Sequence, residues 1–409
     1  MLKAVVLPKV IVLYMFVLCT CIDPYYQKIT RYESLLVVDG LITDENSAYT
    51  VRLSMTIQDQ NASPAMVSDA TVYITDNAGN SIYFNNLGNG LYKTDSTIFR
   101  GQVGNTYVLH IDTGDGGSYE SDQCLMQVVP EIDRVYYEKD QELVNNGTES
   151  LEGIRIYLDS EEGGNNTWYR WEYEETWKFK IPDPPKAEYI SEHNIIPVTD
   201  FKEYCWKSQR SDEILIHSFY AGDNDPVKHQ PVQFIAPDKS DRLLIQYSIL
   251  IKQYSISGTE YDFWNNLTRV SESGSDIFAA QPYAVPSNIH NLNKPDDLVL
   301  GYFQVSSVKQ KRLDISVQEI ADMNLPLYHY TCERVETSPT DPIWVMFDPP
   351  LTFDQLYKRY TDFGYIFIEP RYFHGTTELD KIIFTLKPEC SDCELTGSSV
   401  KPDFWVDLN

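Results

Sequence analysis

The chain of 409 residues carries 60 acidic against 33 basic side chains, a formal charge of −27, and such a surface repels nucleic acid and anionic lipid alike. Aromatics at 13% and hydrophobics at 42% exclude the opposite extreme, an acidic disordered chain unable to bury a core. The length points to two or three domains.

The first element is a leader. Lys3 and Lys9 precede an apolar run from Val10 to Leu18, followed by Cys19, Thr20 and Cys21, the layout of a signal peptide over residues 1–20. The run is about half the ~20 apolar residues that span a bilayer, and no later stretch is long enough. Leu18-Cys19-Thr20-Cys21 resembles the bacterial lipobox, with Leu three residues before the acylated cysteine. Thr20 stands where a smaller residue is usual, but Cys19 as acceptor would leave bulky Leu18 at the cleavage position, so Cys21 is the expected lipidation site. A diacylglycerol plus an amide-linked chain exceeds the two signals that stable attachment requires, which predicts a lipid-anchored protein with a tether over 21–33.

Residues 34–129 read as a β-sandwich. Leu35 to Ile42, Tyr49 to Met55, Ala70 to Thr75, Ile82 to Phe84 and Gly104 to Ile111 alternate with period two or run apolar. Turns stand at Asp76-Asn77-Ala78-Gly79-Asn80, Gly88-Asn89-Gly90 and Asp115-Gly116-Gly117, and seven or so short strands so punctuated are a sandwich pattern. The string Asp69-Ala70-x-Val72, Gly90-x-Tyr92 and Gly104-x-x-Tyr107-x-Leu109 resembles the transthyretin-like, carboxypeptidase-regulatory type of immunoglobulin-like domain, usually a scaffold.

From Pro130 to residue 409 a larger β-rich domain with a few helices is expected. Strands are predicted at Val135-Tyr136-Tyr137, Ile154 to Leu158, Trp168 to Phe179 (ended by Pro182-Asp183-Pro184-Pro185), Leu243 to Ile256, Leu298 to Val305 and Ile343 to Phe347. A helical insertion near 258–273 starts where Ser257-Gly258-Thr259 can cap Glu260 to Leu267, with Tyr261, Trp264 and Leu267 on one face.

Several ordered motifs then converge. Cys21-Ile22-Asp23, Val38-x-Gly40-x-Ile42, Gln253-Tyr254-Ser255-Ile256-Ser257 with Tyr261-x-Phe263-Trp264, Gln281-Pro282 with Asn288-Ile289, Leu300-Gly301-Tyr302-Phe303, and Cys390-x-x-Cys393 with Pro402-Asp403-Phe404-Trp405 resemble the Bacteroidota lipoprotein family of the domain of unknown function 4249. The pair Thr396-Gly397 departs from the glycine pair often found there. The resemblance implies an outer-membrane lipoprotein whose gene commonly lies beside a TonB-dependent receptor, and it brings no catalytic residue. Asp23, close behind the acylated cysteine, implies a protein facing outward from the cell; the periplasmic face is the alternative.

Catalytic chemistry has little purchase here. There is no Gly-x-Ser-x-Gly elbow, His-Glu-x-x-His or phosphate loop, and the seven histidines are scattered. No cofactor or metal is expected: Asp112-x-x-Asp115 and Asp223-Asn224-Asp225 are explained by turn chemistry. Trp168, Trp171, Trp177, Trp206, Tyr261 and Trp264, with Tyr173 and Tyr254, are candidate binding aromatics, offering faces to a sugar or partner; the plainer reading of each is core packing. Of the cysteines after Cys21, two disulfides are expected among Cys205, Cys332, Cys390 and Cys393. Long-range pairings are favoured over the tiny Cys390–Cys393 ring, and Cys124 is left as a buried thiol. The function expected is a non-catalytic accessory lipoprotein of a TonB-dependent transporter, capturing a ligand or capping the receptor. A structural or adhesive surface protein and an unrecognised hydrolase are the alternatives.

Overall fold

The computed structural model describes residues 34–57, 63–145, 147–161, 168–199, 201–218, 226–273 and 285–408. The leader, Cys21, the tether, Asp223-Asn224-Asp225 and Gln281-Pro282 lie outside the described residues. The chain is mainly β, in several sheets none of which closes on itself. Among the described residues there are two α-helices, α1 (Gly258–Ser273) and α2 (Phe353–Asp362).

Two sheets share the first core. In Leu36–Ile42 the period-two pattern buries Leu36, Val38 and Ile42 and leaves Asp39 out. This strand runs antiparallel to Thr50–Met55, with Leu36 opposite Met55 and Leu41 opposite Thr50, and the sheet continues through Leu91–Lys93 to Asn85–Asn86. The facing sheet holds Ser81–Tyr83, Thr71–Asp76, Thr106–Asp112 and Ser118–Ser121. Val38, Val51, Leu53, Ile74, Tyr92 and Leu109 meet between the sheets with no exposure. Their turns are fixed by side chains: Asp76 Oδ1 accepts from the backbone N–H of Ala78 and Asn80, both at 2.9 Å, which suits Asp to this position.

Each of these sheets takes one more strand from late in the chain. Leu300–Val305 pairs in parallel with Leu36–Ile42, Val37 opposite Leu300 and Ile42 opposite Val305, and Ile289–Asn291 adds to Ser118–Ser121. The sequence places both segments in the second domain, so the boundary at Pro130 does not divide the sheets. Gly301 explains the attachment: at φ +87° a β-carbon there would stand 1.9 Å from the Val38 carbonyl oxygen, so only glycine lets the strands meet. Phe303, fully buried, then fills the space left by the missing side chain of Gly40. Asn288 closes the open edge, its Oδ1 accepting from Phe303 N and its Nδ2 donating to Phe303 O, both at 2.9 Å.

The central sheet is built on Trp168–Lys180. Gln246–Ser255 pairs with it along ten positions and with Val308–Ser316 beyond, while Tyr204–Arg210 and Leu215–Ser218 share its other edge. A 3₁₀ turn, Asp241–Leu243, precedes Gln246–Ser255, so the strand is shorter at its start than the apolar run from Leu243. A long hairpin, Ile132–Val144 with Glu149–Ser160, carries Gln230–Ile235 as a third strand. Its Ile154, Ile156 and Leu158 pack into one cluster with Tyr169, Trp171, Trp177, Ile249 and Ile251. Each such side chain taken fully from water contributes about 2 kcal/mol before the entropy of ordering is subtracted.

The C-terminal part forms a sheet of its own, Arg334–Thr337, Leu379–Thr385 and Ile366–Tyr372, with α2, through Leu356, and the hairpin Ala187–Ser191/Asn194–Pro197 packed over Phe367, Ile382 and Phe384. A reciprocal box starts α2: Thr352 Oγ1 accepts from Gln355 N and Gln355 Oε1 from Thr352 N. Ile343 to Phe347, expected as a strand, is a run of turns in which Trp344 N and Val345 N both donate to Asp341 O. Pro342, Pro349 and Pro350 flank it and supply no N–H for a ladder. Trp344 alone is buried there, while Ile343, Val345 and Met346 are exposed. Cys205 bonds Cys393, Cys332 bonds Cys390, and Cys124 is free. Beyond the disulfides the tail lies on the central sheet: Ser398 exchanges backbone bonds with Trp206, and the Gln246 amide bonds Val406 O and Leu408 N.

Candidate functional site

The described motif residues before the tail gather where the first core, the central sheet and α1 meet, while Cys390 to Trp405 lie apart on the C-terminal tail. Gln253 accepts from Trp171 Nε1 at 2.8 Å and donates to Pro130 O at 3.0 Å. Ser255 and Ser307 both donate to Gln127 O, so the chain crossing from the first sheets into the long hairpin is held by three side chains. Ser257 Oγ accepts from Glu260 N at 3.1 Å and starts α1.

Arg170 lies at the centre of this seam and is 4% exposed. Its guanidinium pairs with Glu172, donates to Gln304 Oε1 at 3.0 Å, and lies over the rings of Tyr254 and Trp264 at 4.6 and 4.9 Å. Tyr254 donates to the other Glu172 oxygen at 3.1 Å. Burial tends to raise the Glu172 carboxyl, but Arg170 and the Tyr254 hydroxyl outweigh it and hold it below the ordinary range. Glu260 reaches the seam from α1, 3% exposed, and accepts from Trp264 Nε1 at 3.3 Å. With Arg170 already committed to Glu172, burial dominates and pushes Glu260 up to about 7.

That shift fixes a pH dependence. The unfolded chain releases the Glu260 proton near 4.5 and the native protein near 7, so between those values the native state holds the extra proton and stability falls as pH rises, levelling above 7. The window is worth about 3 kcal/mol at 1.36 kcal/mol per pH unit. Glu260→Gln keeps an acceptor for Trp264 and removes the titration, so its stability relative to the native chain should rise by about that amount from pH 4 to pH 8 in urea unfolding. A difference that stays flat with pH would refute the assignment.

The seam opens on one side into a cleft of about 440 Å³. One wall is the loop after Leu36–Ile42, with Thr43, Glu45 and Tyr49; the other is the central sheet, with Glu172, Glu174, Arg210, Leu250, Lys252 and Tyr254. Lys252 Nζ bonds both Glu45 oxygens at 3.0 Å, and Asp44 Oδ1 accepts from Val308 N at 2.8 Å, so the loop is clamped to the sheet. Arg210 and Glu174 form a looser pair at 3.6 Å on the rim. A second cavity, of about 160 Å³, is bounded by Glu260, Asn288, Tyr302 and Cys124. Cys124 is half-buried, not fully buried as expected, and burial pushes its thiol up to about 12. Among the described residues no cluster of three or more His, Cys, Asp or Glu can hold a metal.

The six candidate aromatics separate. Trp171 and Trp177 are core residues at 1% and 6% exposure, with no ring face to offer a ligand. Trp206 is half-buried, edge-on to Trp405 at the C-terminal tail. Trp168, Tyr261 and Trp264 do come together, around Leu41, Ile216 and Ile256 beside Arg170, and there they pack the seam. The charged residues of the cleft went unmarked in the sequence, where acidic side chains are everywhere. Arg170, a cation inside an aromatic strand, was the available signal.

The molecule is thus a mainly β, disulfide-tied protein with a charge-lined cleft at the seam of its sheets. Residues 22–312 match the family described as "Domain of unknown function (DUF4249)", and the chain belongs to that family. No curated protein matches it. The C-terminal sheet and both disulfide-bonded cysteines of the tail lie beyond the matched span.

Proposed function

We propose that this chain is a Bacteroidota outer-membrane lipoprotein, anchored through acylated Cys21 and facing outward, that binds a ligand without transforming it as an accessory to a TonB-dependent transporter. The observation that carries the reading is the cleft: about 440 Å³, within the size range of small-ligand sites, and walled by residues held in place by their own ion pairs. The leader, the two disulfides and the charge of −27 suit a protein exported from the reducing cytoplasm. In this reading the two sheets around the first core are an immunoglobulin-like sandwich of the transthyretin, carboxypeptidase-regulatory type, acting as the stalk that presents the cleft. Affinity capture of the tagged protein from detergent-solubilised outer membrane should recover a TonB-dependent receptor; recovery of none would count decisively against the partnership.

A structural or adhesive role is the second reading. It draws on the exposed apolar run Ile343, Val345 and Met346, the kind of patch that marks contact surfaces. It predicts attachment defects in a deletion strain whose nutrient uptake is intact.

A further inference from the structure

We infer that the cleft's ligand is a neutral, polyhydroxylated molecule, a mono- or disaccharide in size and chemistry; this rests on the reading of the protein as a binding lipoprotein.

The first ground is charge. Three carboxylates face the cleft, Glu45, Glu172 and Glu174, and each has its own cation: Lys252, Arg170 and Arg210. With Arg170 buried behind the wall as the third cation, a ligand with a net charge meets carboxylates that are each already paired and would have to break a pair to gain one. The acidic surface of the whole molecule further disfavours an anion.

The second ground is hydrogen-bonding capacity. A carboxylate has about four lone-pair sites, an ammonium three donors and a guanidinium five, and the pairs use only part of this. Lys252 is 30% and Glu172 45% exposed, and Arg210 is 86% exposed. Acceptors and donors therefore both face the cleft with capacity to spare. Hydroxyls, each donor and acceptor at once, are the groups that match such a mixed lining, and charge-assisted bonds are the stronger kind.

The third ground is what the lining withholds. Tyr49, Tyr173 and Tyr254 reach the cleft, but they are only 4%, 6% and 3% exposed. The rings are thus closed to a flat ring system, and the partly exposed apolar side chains of the lining are Leu41, Ala48 and Leu250, interspersed with the charged ones, which favours a small polar ligand over a lipid tail.

The test is isothermal titration of the full mature protein, disulfides intact, at neutral pH and low salt. The probes are maltose, cellobiose, lactose and diacetylchitobiose, against digalacturonate and spermidine as charged probes. At least one neutral saccharide should bind saturably, and Lys252→Met and Glu172→Gln should each weaken it about tenfold or more, the loss of one charge-assisted bond. Lys381→Met, on the C-terminal sheet, should leave binding unchanged, and thermal unfolding of each variant reports whether it is folded. Preferred binding of digalacturonate or spermidine overturns the inference, as does the absence of binding by all four saccharides. If saccharides fail while the receptor is still captured from the membrane, the ligand class is wrong and the accessory role stands; if capture fails while a saccharide binds, the reverse holds.

Discussion

Replacing Gly301 by alanine should cost about 4 kcal/mol of stability, enough to leave much of a marginally stable protein unfolded. Two effects add. A positive φ strains any residue with a β-carbon, by about 1–2 kcal/mol. The added methyl would also stand 1.9 Å from the Val38 oxygen, backbone against backbone, with Val38 C and N at 2.8 and 3.0 Å. No side-chain rotation relieves that contact, so the late strand must withdraw and take Phe303 out of the first core. Gly104 supplies the control: it has φ +88° with nothing within 4 Å of the added carbon, so Gly104→Ala isolates the conformational part. Urea unfolding of the two variants should separate them by about 2 kcal/mol or more. Equal losses would mean that the parallel pairing is not what demands glycine.

Replacing Arg170 by methionine should cost about 3 kcal/mol at pH 8, toward the lower end for breaking a buried ion pair because Glu172 is partly exposed and recovers some hydration. Gln304 Oε1 loses its donor and Glu260 loses its nearest cation. The deficit should shrink at pH 5. There Glu260 holds its proton in the native protein, and its attraction to Arg170 contributes nothing; at pH 8 the native Glu260 is mostly ionised and depends on that attraction. A deficit independent of pH would show that Arg170 and Glu260 are not coupled. The double variant Arg170→Met with Glu260→Gln should recover part of the loss, since the buried Glu260 charge that leaned on Arg170 goes with it and only the partly exposed Glu172 is left without its partner.

What could be read beforehand divides along sequence distance. The strands from Leu36 to Ser121 were legible because their alternation and turn residues act locally: Asp76 ties its own turn, and Gly88 to Gly90 sit where positive φ is required. Leu300 to Val305 was legible as a strand but not as a partner of Leu36–Ile42, since nothing local encodes a parallel pairing across most of the chain. Its glycine was visible; its reason was not. Ile343 to Phe347 misled because β-branched and aromatic residues in a short run satisfy the strand pattern, whereas flanking prolines and the Asp341 carbonyl make turns. The same blind spot covered the site. Trp171 and Trp177 are as prominent in the sequence as Trp264, and only burial separates them. Arg170, Glu172 and Lys252 matter through partners brought from three separate segments, Glu45, Gln304 and Glu260. The four bonded cysteines could be named as a set; which pairs they form depended on where the tail lies.

The parallel strand also sets a timetable. A chain synthesised amino end first presents residues 34–129 before residues 289–305, yet each sheet of the first core borrows its last strand from that later stretch. Until then Leu36–Ile42 and Ser118–Ser121 are bare edges, open to pairing with any passing strand. The early segment must therefore wait, held apart from its neighbours, and the molecule closes from its far end backward, so that an interrupted chain is left without a finished piece.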